Sequence, residues 1–142
     1  ARFGEVHLIL HPPTELRLRK YNLYEVLADA PGMNMRPRMP YTEFLALISG
    51  ARAVFSDGGS NQEELSYLGV PTVLYRERSE RPDGLGSNSV LRGDVNESME
   101  AFIESGKIDT LRVPSRIDAD VYPSQETIDA LLRWSGASGQ ET

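Results

Sequence analysis

The sequence predicts an α/β protein in which short parallel strands are covered by helices. Three observations carry that expectation. Short apolar runs bounded by Gly and Pro (EVHLIL, RAVFS, TVLY) alternate with stretches of helical periodicity. A helix-length segment lies between one run and the next, as a crossover between parallel strands requires. The 142 residues, 39% hydrophobic and 25% charged, have the length and composition of one ordinary globular domain. The expected architecture is a Rossmann-like parallel sheet flanked by helices, and ligands of such sheets sit beyond the C-terminal ends of the strands.

Taken in order, residues 5–10 read as a buried strand closed by His11-Pro12-Pro13. Thr14 is placed to cap a helix that runs to about Ala28, interrupted near Asn22 and ended by Pro31-Gly32. Residues 33–39 are a weak strand, demoted by Pro37. Pro40-Tyr41-Thr42 opens a second helix with Phe44, Leu47 and Ile48 on one face and Gly50 as C-cap. Residues 52–56 form the next strand and lead into a Gly58-Gly59 turn. The helix from Asn61 ends at Leu68-Gly69, and a strand over 72–75 follows Pro71. Residues 77–88 show no periodicity, only Arg, Ser, Pro and Gly, so they form a loop that is ordered if it binds something. A short strand over 89–92 and a helix over 96–105 come next, the latter with Met99, Phe102 and Ile103 apolar. Residues 107–123 are irregular. Pro123-Ser124 starts a last helix with Ile128, Leu131 and Leu132 on one face, and from Gly136 the chain reads as a flexible tail. There is no internal repeat.

Composition narrows the function classes. A net charge of −6 argues against a nucleic-acid surface. No apolar run approaches the roughly 20 residues of a membrane span, and no signal-peptide pattern opens the chain. With no cysteine there is no disulfide or thiol chemistry, which fits a cytoplasmic protein. No metal or cofactor is expected. The chain starts at Ala1 without an initiator Met and reads as a piece of something longer.

The chemistry concentrates between Phe55 and Asp83. Gly58-Gly59 lets the backbone turn through φ > 0 and approach a ligand with no Cβ in the way. The helix that follows points free N–H groups and a partial positive charge at that spot, which suits a phosphate bound by Gly58, Gly59 and Ser60. The bland alternative is that Ser60-Asn61-Gln62-Glu63 is simply a capping box. Arg76, Arg78 and Arg81 follow in the loop, and a guanidinium fork from Arg81 suits a second face of the same phosphate. Glu64 would repel a phosphate, so it needs another partner. It is acceptor-only, and two vicinal ribose hydroxyls match it as a pair of donors. Gly-Gly, Glu64 and Arg81 together spell a nucleoside diphosphate.

The run DGGSNQEELSYLGVPTVLYRERSERPDGLGSN resembles the signature of the non-hydrolysing UDP-N-acetylglucosamine 2-epimerases, in their C-terminal half. The chain keeps Asp57, Gly59, Gln62, Glu63, Glu64, Leu68, Gly69, Pro71, Arg76, Glu80, Arg81 and Pro82 of that pattern. It departs at Gly58, where Ser is usual, at Ser60, where a second Gly is usual, and at Ser79 and Asp83, which replace Thr and Glu. The resemblance covers about residues 5 to 105. It implies the C-terminal half of a two-domain glycosyltransferase-B (GT-B) architecture that binds a UDP-sugar, UDP-GlcNAc or UDP-ManNAc, in its cleft. It also implies that the acidic and histidine groups acting at the sugar carbon lie in an N-terminal half absent here. The isolated chain is therefore expected to be inactive, with no catalytic residue of its own beyond Arg81 as stabiliser of the leaving diphosphate.

The resemblance further places Phe44 near the uracil, against a core role on the Leu47/Ile48 face, and His11 at a second nucleotide-sugar site, against a strand-end histidine with local hydrogen bonds. Two other functions share these residues: the nucleotide-sugar half of another GT-B glycosyltransferase, and a non-catalytic nucleotide-sugar-binding module. The sequence leaves homodimerisation open.

Overall fold

The computed structural model describes residues 4–117 and 122–137. Strand β1 (Val6–Leu10) pairs in parallel with β2 (Met33–Pro37), Val6 opposite Met33 and Leu10 opposite Pro37. Pro37 ends its strand, where a missing N–H is tolerated. Between them lie α1 (Pro12–Lys20) and α2 (Tyr24–Ala28). The expected cap at Thr14 is corrected: His11 is the N-cap, and the prolines after it occupy the first turn, whose N–H groups have no helical partner anyway. The interruption falls where it was expected, with Asn22 in the left-handed region at φ 55°.

A second sheet has the order β3-β4-β5, all parallel: β3 (Val54–Ser56), β4 (Thr72–Leu74) and β5 (Ser89–Leu91). Helix α3 (Tyr41–Ser49) precedes β3, with Gly50 at its C-cap, and α4 (Gly59–Leu68) joins β3 to β4. Alternation along β3 sends successive residues to opposite faces. Val54 packs on one side with Ile48, Leu65, Val70, Phe44, Leu45 and Leu68, which is the α3/α4 layer. Ala53 packs on the other with Val73, Val95, Phe102 and Ile108. That layer is α5 (Met99–Glu104) and the 3-10 turn that follows it. Ser98 caps α5 by accepting from the Ala101 N–H at 3.1 Å, so the helix starts three residues later than Asn96.

The irregular stretch expected over 107–123 is also corrected. Lys107–Leu111 form a 3-10 helix, and Ile108 is 1% exposed in the core. Arg52 clasps Asp109 with two hydrogen bonds of 2.8 and 2.7 Å. That hydrogen bonding, and then the Arg52 and Arg112 charges, hold the Asp109 carboxyl below its usual range. The pair is half exposed, so solvent weakens its contribution. Residues 112–117 form a strap against the end of α4. The Val113 N–H donates to Gly69 O (3.2 Å) and the Arg116 N–H to Tyr67 O (2.7 Å). Helix α6 (Pro123–Ala137) extends past Gly136, so the tail expected from 136 begins inside a helix; residues 138–142 lie outside the described residues. Among the described residues no helix is long and apolar enough to cross a membrane, and no group of His, Cys, Asp and Glu is arranged to hold a metal ion.

Candidate functional site

The C-terminal end of β3 runs directly into α4, and the geometry there differs from the expected turn. Gly58 is the N-cap in extended backbone (φ −91°, ψ 133°), and neither Gly58 nor Gly59 takes a positive φ. The bend is held by Ser56, whose Oγ accepts from the Gly58 N–H at 3.0 Å. The helix begins at Gly59, two residues before Asn61. Ser60 is therefore already inside the first turn and exposed, and no side chain caps the helix: the capping box does not form.

Position 59 lies beneath two arginines, where a Cβ would make ordinary contacts. A Cβ there would lie 3.4 Å from Arg81 Nε and 3.8 Å from Arg76 Nη1. Two guanidinium groups thus lean over the first residue of α4, where the unpaired N–H groups of a ten-residue helix also concentrate. Helix terminus, Arg76 and Arg81 make one positively charged spot in a chain that is acidic overall. Arg81 forms an ion pair with Glu63 on the first turn of α4, both side chains half exposed. The pair thus ties the loop to the helix and not to its own acidic neighbours Glu77 and Glu80.

The loop that carries Arg81 is ordered from beneath by Gln62, which is 0% exposed. Its Nε2 donates to Arg81 O and Asp83 O, both at 2.8 Å, and its Oε1 accepts from Ser79 Oγ at 2.5 Å. A buried amide with three such bonds is a clamp, because each partner left unpaired costs its desolvation. Gln62→Leu keeps the volume and removes all three bonds. We expect a loss of about 2–3 kcal/mol in stability, with nucleotide affinity falling as the Arg81 loop loosens. Thermal unfolding and nucleotide titration of the variant check both.

Glu64 lies on the same helix, one residue beyond the Arg81 partner. Its Oε2 is buried and has no hydrogen-bond partner among the described residues. The Tyr41 hydroxyl, from the first turn of α3, interacts with this carboxylate. Hydrogen bonding to Glu64, then desolvation, then the Glu64 charge raise the phenol above its usual pKa. Phe44 is partly buried against Ile48, Leu65 and Val70, so the core role weighed for it is real. His11 lies elsewhere, exposed at the start of α1 beyond β1.

Gly58, Gly59, Ser60 and Glu64 thus lie at or on α4 with Arg81 beside Gly59, and three residues without an assigned role at the sequence level join them: Gln62 and Arg76 around Arg81, and Tyr41 toward Glu64. Gln62 carried a signal, a polar residue on the buried stripe shared with Leu65 and Ser66. Arg76 carried one in the arginine cluster. Tyr41 carried none.

The description "UDP-N-acetylglucosamine 2-epimerase" belongs to the family model that matches residues 3–116. The chain belongs to the UDP-N-acetylglucosamine 2-epimerase family. The Methanocaldococcus jannaschii UDP-N-acetylglucosamine 2-epimerase is 34% identical over 97 residues, covering 67% of this chain and 26% of the relative. The Methanococcus maripaludis enzyme of the same name is 34% identical over 96 residues. Among solved structures, that of the M. jannaschii UDP-GlcNAc 2-epimerase in complex with UDP-GlcNAc and UDP superposes with a TM-score of 0.69 at 26% identity, covering 92% of this chain and 36% of that one. The chain therefore spans about a quarter of the length of these curated relatives.

Proposed function

We propose that this chain is the UDP-binding half of a UDP-N-acetylglucosamine 2-epimerase, an isomerase interconverting UDP-GlcNAc and UDP-ManNAc. The observation that carries the reading is the meeting of Arg76, Arg81 and the α4 N-terminus at Gly59. Around it, Glu64 takes the ribose, offering a buried oxygen that wants a donor, and Phe44 is assigned to the uracil side. His11 is assigned to a second nucleotide-sugar site on family resemblance alone.

In this reaction UDP is eliminated from the sugar and added back after the face at carbon 2 has been reversed. The bond from the anomeric carbon to the β-phosphate oxygen breaks, so negative charge grows on the leaving diphosphate. The Gly59 and Ser60 N–H groups with Arg81 and Arg76 are placed to stabilise that charge where it develops. The groups that move protons at the sugar belong to the other half of the enzyme, so the domain arrangement is GT-B-like with the nucleotide in the cleft. This chain by itself binds and does not turn over. Calorimetric titration with UDP and with uridine tests the reading. Saturable heat with UDP and little with uridine is expected, since most contacts go to the diphosphate. Absence of heat at millimolar UDP overturns it.

A further inference from the structure

We propose that Glu63 is a positioning residue for Arg81: by holding one end of the guanidinium it leaves a two-donor edge turned to the diphosphate. The inference rests on the reading of Gly59, Arg76 and Arg81 as the diphosphate site. Arg81 is held at both ends by consecutive residues of α4. At the backbone, the buried Gln62 amide donates to Arg81 O at 2.8 Å. At the tip, Arg81 Nη1 donates to Glu63 Oε2. Among the described residues, Arg81 Nε and Nη2 make no hydrogen bond to the protein.

These two nitrogens are the side edge of the guanidinium, whose parallel N–H bonds match two oxygens of a phosphate. Nε lies 3.4 Å from where a Gly59 Cβ would be, so the edge stands beside the start of α4 and its unpaired N–H groups. Arginine is among the side chains that lose most rotamer freedom on ordering. Glu63 meets part of that loss before any ligand arrives, and does so through the one nitrogen that the edge does not use. Charge alone predicts the contrary, since a carboxylate beside an anion weakens its binding. The half-exposed pair adds little to stability. The sign of the Glu63 effect on affinity therefore decides between positioning and repulsion.

The test is calorimetric titration with UDP of the native chain, Glu63→Ala, Glu63→Gln, Arg81→Lys and the double variant Glu63→Ala/Arg81→Lys, with thermal unfolding of each. Glu63→Ala should weaken UDP binding about fivefold, the effect of freeing one long side chain at a binding surface, with the unfolding midpoint close to native. Glu63→Gln keeps an acceptor for Nη1 and should bind within about twofold of native. Lysine is a point charge with no edge to turn. In the Arg81→Lys background Glu63→Ala should therefore leave the affinity unchanged or raise it. A Glu63→Ala chain that binds UDP as tightly as the native chain, or more tightly, overturns the inference and leaves the diphosphate reading standing. Equal weakening by Glu63→Ala in both backgrounds marks a merely structural role and also refutes it. A native chain that gives no heat with UDP overturns the diphosphate reading and this inference with it.

Discussion

Gly69→Ala should be the most damaging single-methyl change in the molecule. Gly69 caps α4 in the left-handed region at φ +68°. An L side chain there costs about 1–2 kcal/mol for backbone conformation alone. An added Cβ would also collide with the Val113 carbonyl oxygen, and would lie 2.9 Å from its carbon and 3.0 Å from Pro114 O. These are backbone atoms, so no rotamer change relieves the clash. The strap would have to lift, releasing the Val113 and Arg116 N–H bonds to the end of α4. The combined loss is about 3 kcal/mol or more. Chemical denaturation should report a lower midpoint with little change in slope. A variant that unfolds within about 0.5 kcal/mol of the native chain would mean that the strap does not hold this position.

Arg81→Ala should be the most damaging change at the site. It removes one of two guanidinium groups beside Gly59 and leaves Glu63 without its cation at the proposed diphosphate site. UDP affinity of the chain should fall by about a hundredfold, as when one charged, hydrogen-bonded partner of an anion is lost. In a protein that carries the remainder of the relatives' length, turnover should fall too, because the charge grows as the diphosphate leaves. An Arg81→Ala enzyme with native turnover and only a raised KM would assign Arg81 to uniform binding. The Arg76→Ala change should act in the same direction with smaller effect, since Arg76 stands farther from Gly59 than Arg81 does.

Most of the fold was readable because strands and crossover helices leave different periodicities, and Gly and Pro mark their junctions. The β3–α4–β4 unit follows the expected order, and the break near Asn22 is where the polar, turn-favouring residues stand. Residues 107–111 escaped because a five-residue 3-10 helix, with only Ile108 buried and Leu111 partly so, is too short to show a periodicity. At the site, the residue types were legible and the local geometry was not. Gly58-Gly59 and Ser60-Glu63 suggested a positive-φ turn and a capping box. The helix instead starts at Gly59 from an extended Gly58 N-cap, with the bend held by the Ser56 side chain. Gln62 holds the loop of Arg81 and Tyr41 feels Glu64 across long sequence separations, and no local pattern encodes such pairings.

Among the described residues, β4 alone of the five strands has a neighbour on both sides. Its amides should be the slowest in the chain to exchange with solvent, because freeing them requires both ladders to open. The β1–β2 ribbon, two strands wide, can open at lower cost. Such an excursion leaves untouched the segment from Ser56 to Asp83, which hangs on β3 and β4. The candidate site is thus mounted on the part of the molecule expected to come undone last.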